Sequence, residues 1–162
     1  MTTLTKINGF AAEATVQRLA VQSGCKPIKF DTPQLVRIAK ATTTGWRRLK
    51  LALPHLLSEY GRRTKNGKYA VEWNAVPATV ILDYVYGLDA VFLWRGWCIG
   101  VDATTNRNTV EEKQFKLQLL KPLWQALHID SCAVAHVSTN ANKNEFVENL
   151  RRVIKGKTLM EL

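Results

Sequence analysis

Cysteine is scarce in this chain. Cys25, Cys98 and Cys132 are odd in number, far apart and without a CxxC spacing. Such a set offers no disulfide framework and suits reduced, buried thiols in an intracellular protein. His55, His128 and His136 lack metal-ligand spacing, and His136, inside an apolar run, reads as a satisfied core residue. No apolar run approaches the ~18 residues of a membrane span. The opening MTTLTKINGF has no signal-peptide core, so a cytoplasmic location away from membranes is expected. There is no GxGxxG, Walker loop or nucleophile elbow, and there are no internal repeats or low-complexity segments.

Acidic residues are the other shortage. Asp and Glu number 13 against 23 Lys and Arg, a formal net charge of +10. That balance favours a polyanionic partner, nucleic acid before an anionic membrane surface. At 162 residues, with 46% hydrophobic and 22% charged, the chain fits one compact domain with room for a small appended lobe. The positive charge is concentrated: between Gln34 and Trp73 nine basic residues meet only Glu59 and Glu72. Arg47, Arg48, Lys50, Arg62, Arg63, Lys65 and Lys68 are the residues of this run expected to touch DNA.

Local signals place elements along the chain. Residues 6–23 read as a helix with Phe10, Ala14, Val16, Ala20 and Val21 on one arc and Glu13 inside it. A glutamate on an apolar stripe either snorkels to solvent or has a partner. Residues 26–31 read as a short strand or linker. Residues 32–61 read as two helices, separated by the break Thr42-Thr43-Thr44-Gly45, with Pro54 expected to kink or split the second. Asn66-Gly67 then marks a hairpin turn within the basic run at 62–73. Helix, turn, helix and basic hairpin is the order of a winged-helix-like module. Residues 78–86, ATVILDYVY, read as a strand, with Asp83 on its edge or paired in the core. Residues 110–127 read as a helix opened by a Thr109/Glu112 capping box and bent at Pro122. Residues 129–137 read as a buried strand, and residues 143–155 as a closing amphipathic helix.

The stretch 88–106, LDAVFLWRGWCIGVDATTN, organises the rest. Two β-prone runs, 89–94 and 97–104, flank the turn Arg95-Gly96. Pairing them brings Asp89 and Asp102 to one end of an otherwise apolar ribbon. The commonest reason for such a pair is a divalent cation, and Asp83 competes for the ligand role.

Taken with GFAAE at 9–13, LDAVF around Asp89 and VDAT at 101–104, the chain resembles the PD-(D/E)xK nuclease superfamily, the restriction-endonuclease-like fold of Holliday junction resolvases and many restriction enzymes. The resemblance implies an α/β architecture with an αβββαβ core, a mixed central sheet flanked by helices. Residues 1–25 and 77–162 would form that core, and residues 26–76 a basic helical and hairpin insertion. It also implies a DNA endonuclease in which Asp89, Asp102 and the Ala103 carbonyl hold Mg2+, with Mn2+ able to substitute. Glu13 would orient water or help hold the metal. The family lysine is replaced by Thr104, so the resemblance moves the basic role to the next helix, to Lys116 first, Lys113 second, with Arg107 as a third candidate. A homodimer is the expected working unit, because two-strand cleavage calls for two sites. Two rivals stand beside this reading: a non-catalytic winged-helix-like DNA-binding protein, and a nuclease-fold subunit of a larger complex.

Overall fold

Helix α1 (Thr3–Gln22) leads into the two-residue strand β1 (Lys26–Pro27) in the computed structural model, which describes the backbone from residue 3 to 162 and side chains from residue 11. The buried side of α1 is Ala12, Val16, Leu19 and Ala20, while Ala14 and Val21 face solvent. The expected arc is therefore rotated: small alanines on every side of this helix blur the apolar stripe. Phe10, also expected on that arc, lies outside the described side chains. Glu13 sits half-buried at the margin.

Next come α2 (Thr32–Lys40) and α3 (Thr43–Tyr60). Asp31 caps α2 by accepting from the Gln34 N–H, and Thr42 caps α3 by accepting from the Gly45 N–H. The break is thus at Ala41 and Thr42, and Thr43, Thr44 and Gly45 already belong to α3. Pro54 does not split the helix either. It lies on the exposed side, where water can satisfy the Lys50 carbonyl that loses its partner. Strands β2 (Gly61–Arg63) and β3 (Tyr69–Val71) follow as the expected hairpin around Asn66-Gly67, with Gly67 at φ +75.

Residues 78–86 are not a strand. They form α4 (Ala78–Tyr84) and its exit. Val80, Ile81 and Val85 have high β propensity, yet Ile81, Leu82, Val85 and Tyr86 are buried while Thr79, Asp83 and Tyr84 face outward. That is a helical repeat, and tertiary burial overrides propensity. Strands β4 (Ala90–Trp94) and β5 (Trp97–Thr104) form the expected hairpin. The expected long helix is two, α5 (Val110–Leu119) and α6 (Lys121–Ala126), broken at Leu120 just before Pro122. The Thr109/Glu112 capping box is not made. A 3-10 turn at Arg107–Thr109 precedes α5, and Thr109 Oγ1 donates instead to the Asn106 carbonyl at 2.9 Å. Strand β6 (Ser131–His136), α7 (Lys143–Ile154) and β7 (Leu159–Glu161) complete the chain.

The central sheet is mixed, in the order β1-β4-β5-β6-β7, with β4 antiparallel to β1 and β5, and β5, β6 and β7 parallel. The first strand of the antiparallel run is therefore Lys26–Pro27, not residues 78–86. Helices α1 and α7 cover one face around Val16, Leu19, Phe146 and Leu150. The other face lies under α5 and α6 and the helices of the basic segment. Residues 26–76 do not have a core of their own: Leu35, Leu49 and Leu56 share one cluster with Leu117, Leu123 and Trp124. Hydrogen bonds fix the segment within itself and to its neighbours: Thr32 Oγ1 donates to the Val76 carbonyl, closing its two ends, and the Tyr86 hydroxyl donates to the Leu35 carbonyl from outside it, both at 2.6 Å. No helix among the described residues is long and apolar enough to cross a membrane, and Cys25, Cys98 and Cys132 are free and buried.

Candidate active site

Alternation along β5 decides where its acid points. Asp102 pairs in register with Val134 of β6 and projects to the face covered by α5, where it is 3% exposed. A carboxylate so deeply buried needs counter-charge. Two lysines one turn apart on α5 supply it. Lys113 Nζ lies 3.0 Å from Asp102 Oδ1 and 3.2 Å from Oδ2, and Lys116 Nζ lies 2.7 Å from Oδ2. The helix after the strand thus delivers the basic groups that Thr104 cannot. Gly87 makes room for one of them: a Cβ there would lie 3.0 Å from Lys116 Cε and 3.3 Å from its Nζ.

Asp89 closes the hairpin. Its N–H donates to the Val101 carbonyl at 2.8 Å, and its Oδ2 accepts from the Ala103 N–H at 2.8 Å, one pair beyond Ala90 and Val101. Burial first and the neighbouring charge of Asp102 second push the Asp89 carboxyl up to about 7, against the opposing Ala103 hydrogen bond. Asp89 and Asp102 are therefore brought together, as the hairpin requires.

Asp83 belongs to the same neighbourhood. Its carboxyl is raised by desolvation first and Asp102 second, while Lys116, Lys113 and Arg48 pull it down. As a residue near the end of α4, Asp83 is neither on a strand edge nor paired in the core. Reading 78–86 as a strand hid this; the helical repeat of Ile81, Leu82 and Val85 was the signal that could have found it. Glu13 reaches the outer side of the group. Desolvation and then Asp83 raise its carboxyl, and it accepts a long 3.4 Å bond from Gln17 Nε2.

Other sequence candidates go elsewhere. Thr104 is built into the turn after β5: its hydroxyl accepts from the Asn106 N–H at 3.0 Å and meets Thr109 Oγ1 at 3.0 Å. Arg107 pairs with Glu161, which also holds His136 Nδ1 at 2.9 Å. His136 is thus satisfied, at the rim rather than in the core. Arg48 turns inward from the basic face. Its Nη2 donates to the Tyr84 carbonyl at 2.8 Å and its Nε to the Val85 carbonyl at 3.2 Å, capping α4. Desolvation lowers its guanidinium, opposed by Asp83 and Asp102, so it is a third cation beside the acids. Arg47, Lys50, Arg63, Lys65 and Lys68 remain exposed, and Arg62 is exposed beside Glu72 at 3.2 Å.

Among the described residues, no group of three or more His, Cys, Asp or Glu side chains is arranged to hold a metal ion. The pair Asp89 and Asp102, with the Ala103 carbonyl, could hold one hard divalent cation. The donor chemistry fits: burial first and the charge of Asp102 second lift Asp89, and a cation between the two carboxylates relieves the second. The lysines would then share Asp102 with it. Compared with protein-family models, with curated proteins and with solved structures, the chain matches none.

Proposed function

We propose that this protein is a metal-dependent DNA endonuclease with a restriction-endonuclease-like core, acting as a homodimer in the cytoplasm. The reading rests on one observation: Lys116 and Lys113 meet Asp102 beside Asp89, at the end of the central hairpin. Paired acids with an adjacent ammonium suit phosphodiester hydrolysis. In that reaction a water oxygen bonds to phosphorus, one phosphorus–oxygen ester bond breaks, and the leaving oxygen gains a proton. Magnesium held by Asp89, Asp102 and the Ala103 carbonyl would supply a Lewis acid and lower the pKa of water.

The remaining work falls to the chain. Lys116 Nζ, fixed on Asp102 and on the open side of Gly87, donates a hydrogen bond that orients the attacking water. Lys113, the second ammonium, offsets charge as it grows on the non-bridging phosphoryl oxygens. Glu13 and Asp83, both above the ordinary carboxylate range, line the outer side, where water arrives. Arg48 holds α4, and so Asp83, in place. The exposed residues Arg47, Arg62, Arg63, Lys65 and Lys68 hold the DNA backbone.

A second reading, DNA binding without cleavage, draws on the ion pairing of both Asp102 oxygens. One assay separates the two. Supercoiled plasmid incubated with magnesium or manganese is nicked or linearised by the wild type and left intact by Asp102→Ala. Plasmid that stays intact with wild type under both metals, while still being bound, rejects the nuclease and leaves the binding protein.

A further inference from the structure

Helix α3 carries a surface that neither the core nor the acid–lysine cluster uses. Its buried side, Gly45, Leu49, Ala52 and Leu56, repeats every three or four residues. The opposite side repeats at the same interval and faces solvent as Thr43, Trp46, Arg47, Lys50, Leu51 and Pro54. Trp46 is 40% exposed and Leu51 is 78% exposed. Two large apolar side chains lying open on a basic helix call for an occupant with apolar and anionic parts together. Lys50 Nζ already lies 5.2 Å from the Trp46 ring centroid, so charge and apolar surface form one patch.

The surroundings present this side outward. Only Ala41 and Thr42 separate α2 from α3, and the helices are close: a Cβ at Gly45 would lie 2.4 Å from the Ala39 carbonyl oxygen. The β2–β3 hairpin continues from α3 without a linker and carries Arg63, Lys65 and Lys68, with Tyr69 58% exposed. Helix, tight turn, open helix and basic ribbon is the arrangement that sets one helix in a groove and a ribbon on the flanking backbone.

We propose that α3 lies in the major groove of B-form duplex DNA and reads base edges through Thr43, Trp46 and Lys50, with Arg47 and the β2–β3 hairpin on the adjoining phosphates. The major groove, about 12 Å wide, admits one helix with its side chains. Lys50 matches guanine O6 and N7, and Trp46 and Leu51 match the thymine methyl group. The major groove of duplex RNA is too deep and narrow for this helix, so the geometry selects DNA. The inference rests on the preceding reading only in taking this segment as the nucleic-acid grip, and it holds whether or not the site cuts.

The test uses the full chain in EDTA, so cleavage plays no part. Sequences enriched from a random 20-base-pair duplex library by binding to the protein are compared, by fluorescence anisotropy, with a scrambled duplex, the same sequence as duplex RNA, and single-stranded DNA. The expected result is an enriched site, bound more tightly than the other three probes. Lys50→Ala and Trp46→Ala lower the ratio of enriched to scrambled affinity by about tenfold. Lys65→Ala weakens both duplexes together and keeps the ratio. Because Trp46 and Lys50 are exposed, both variants should keep the wild-type circular dichroism and melting temperature, and a variant that does not is replaced by Lys50→Gln or Trp46→Phe. Absence of an enriched site overturns the inference. So do equal binding of single strands or RNA, an unchanged ratio in both variants, and displacement of duplex by polyglutamate, which would mark α3 as a site for an acidic protein.

Discussion

Lys116 and Asp102 meet 2.7 Å apart although they lie 14 positions apart in sequence, one in the last turn of α5 and the other near the end of β5. A strand and the helix that follows it thus share one ion pair, closed by a second lysine one turn earlier. Such a pair is a poor stabilising device: exchanging two buried charges for apolar groups is often neutral, while removing one partner strands the other. Its place at the end of a hairpin, beside a second acid, is what the proposed chemistry uses.

Lys116→Met should therefore separate function from fold. Plasmid cleavage is expected to fall by about 10²–10³-fold, the loss typical of a positioned donor at a developing charge. Lys113→Met should cost less, since Lys113 spreads over both Asp102 oxygens and Lys116 retains one. Single-turnover cleavage rates at saturating protein measure this. Equal rates for Lys116→Met and wild type would remove Lys116 from the reaction.

Gly87 controls access of that lysine. Its φ of +69 disfavours any side chain, and a new methyl would press on Lys116 Cε and Leu120 Cδ1, both at 3.0 Å. Gly87→Ala should lose about 1–2 kcal/mol from backbone strain and also lose cleavage by displacing Lys116. Gly24→Ala is the control: φ is +81, but nothing lies within 4 Å of its Cβ. It should show a similar stability loss in urea with cleavage retained. Parallel loss of cleavage in both variants would assign the effect to stability alone.

How far this site could be read in advance depends on the range of the interactions that set it. The β4–β5 hairpin and the β2–β3 ribbon were legible because their turns, Arg95-Gly96 and Asn66-Gly67, are local signals. Lys113 and Lys116 were legible because a three-residue spacing on a helix leaves them on one side. Residues 26–31 stood open between short strand and linker, because β1 is only two residues long and its pairing with β4 decides it. Residues 78–86 looked like a strand because β-branched and aromatic residues dominate them, and only their burial period gives the helix away. As a strand residue Asp83 stood only as a competitor for the ligand role; on α4 it comes within reach of the charges of Asp102, Lys113 and Lys116. Arg47 and Arg48 looked alike as charges, yet neighbours on a helix point about 100° apart, from 3.6 residues per turn. With Leu49 and Ala52 buried, Arg48 lies toward the core side.

The two arginines should differ accordingly when mutated. Arg47→Ala is expected to weaken DNA binding and to flatten the plot of log affinity against log salt by about one contact. Arg48→Ala should leave that slope unchanged and instead destabilise the fold by about 1–3 kcal/mol, because the Tyr84 and Val85 carbonyls lose their donor. Anisotropy titrations from low to high salt, paired with urea unfolding, check both halves. A flattened slope for Arg48→Ala would return it to the DNA face.

Asp89 sets the pH dependence of the metal-free protein. Its carboxyl titrates near 7 when folded, against 3.8 as the reference value, because burial and Asp102 oppose its charge. Between those values the folded state holds a proton that the unfolded state has released. Stability is therefore greatest at the acidic end of that window and falls as pH rises toward 7, flattening above it. Asp83 and Glu13, raised in the same direction, add to this slope. Asp89→Asn should flatten the profile of urea midpoint against pH. Magnesium held as proposed would bind only the ionised pair, so its stabilising effect should be larger at pH 8 than at pH 5 and absent in Asp89→Asn. A magnesium effect that is equal at both pH values, or that survives Asp89→Asn, would place the ion away from Asp89 and Asp102.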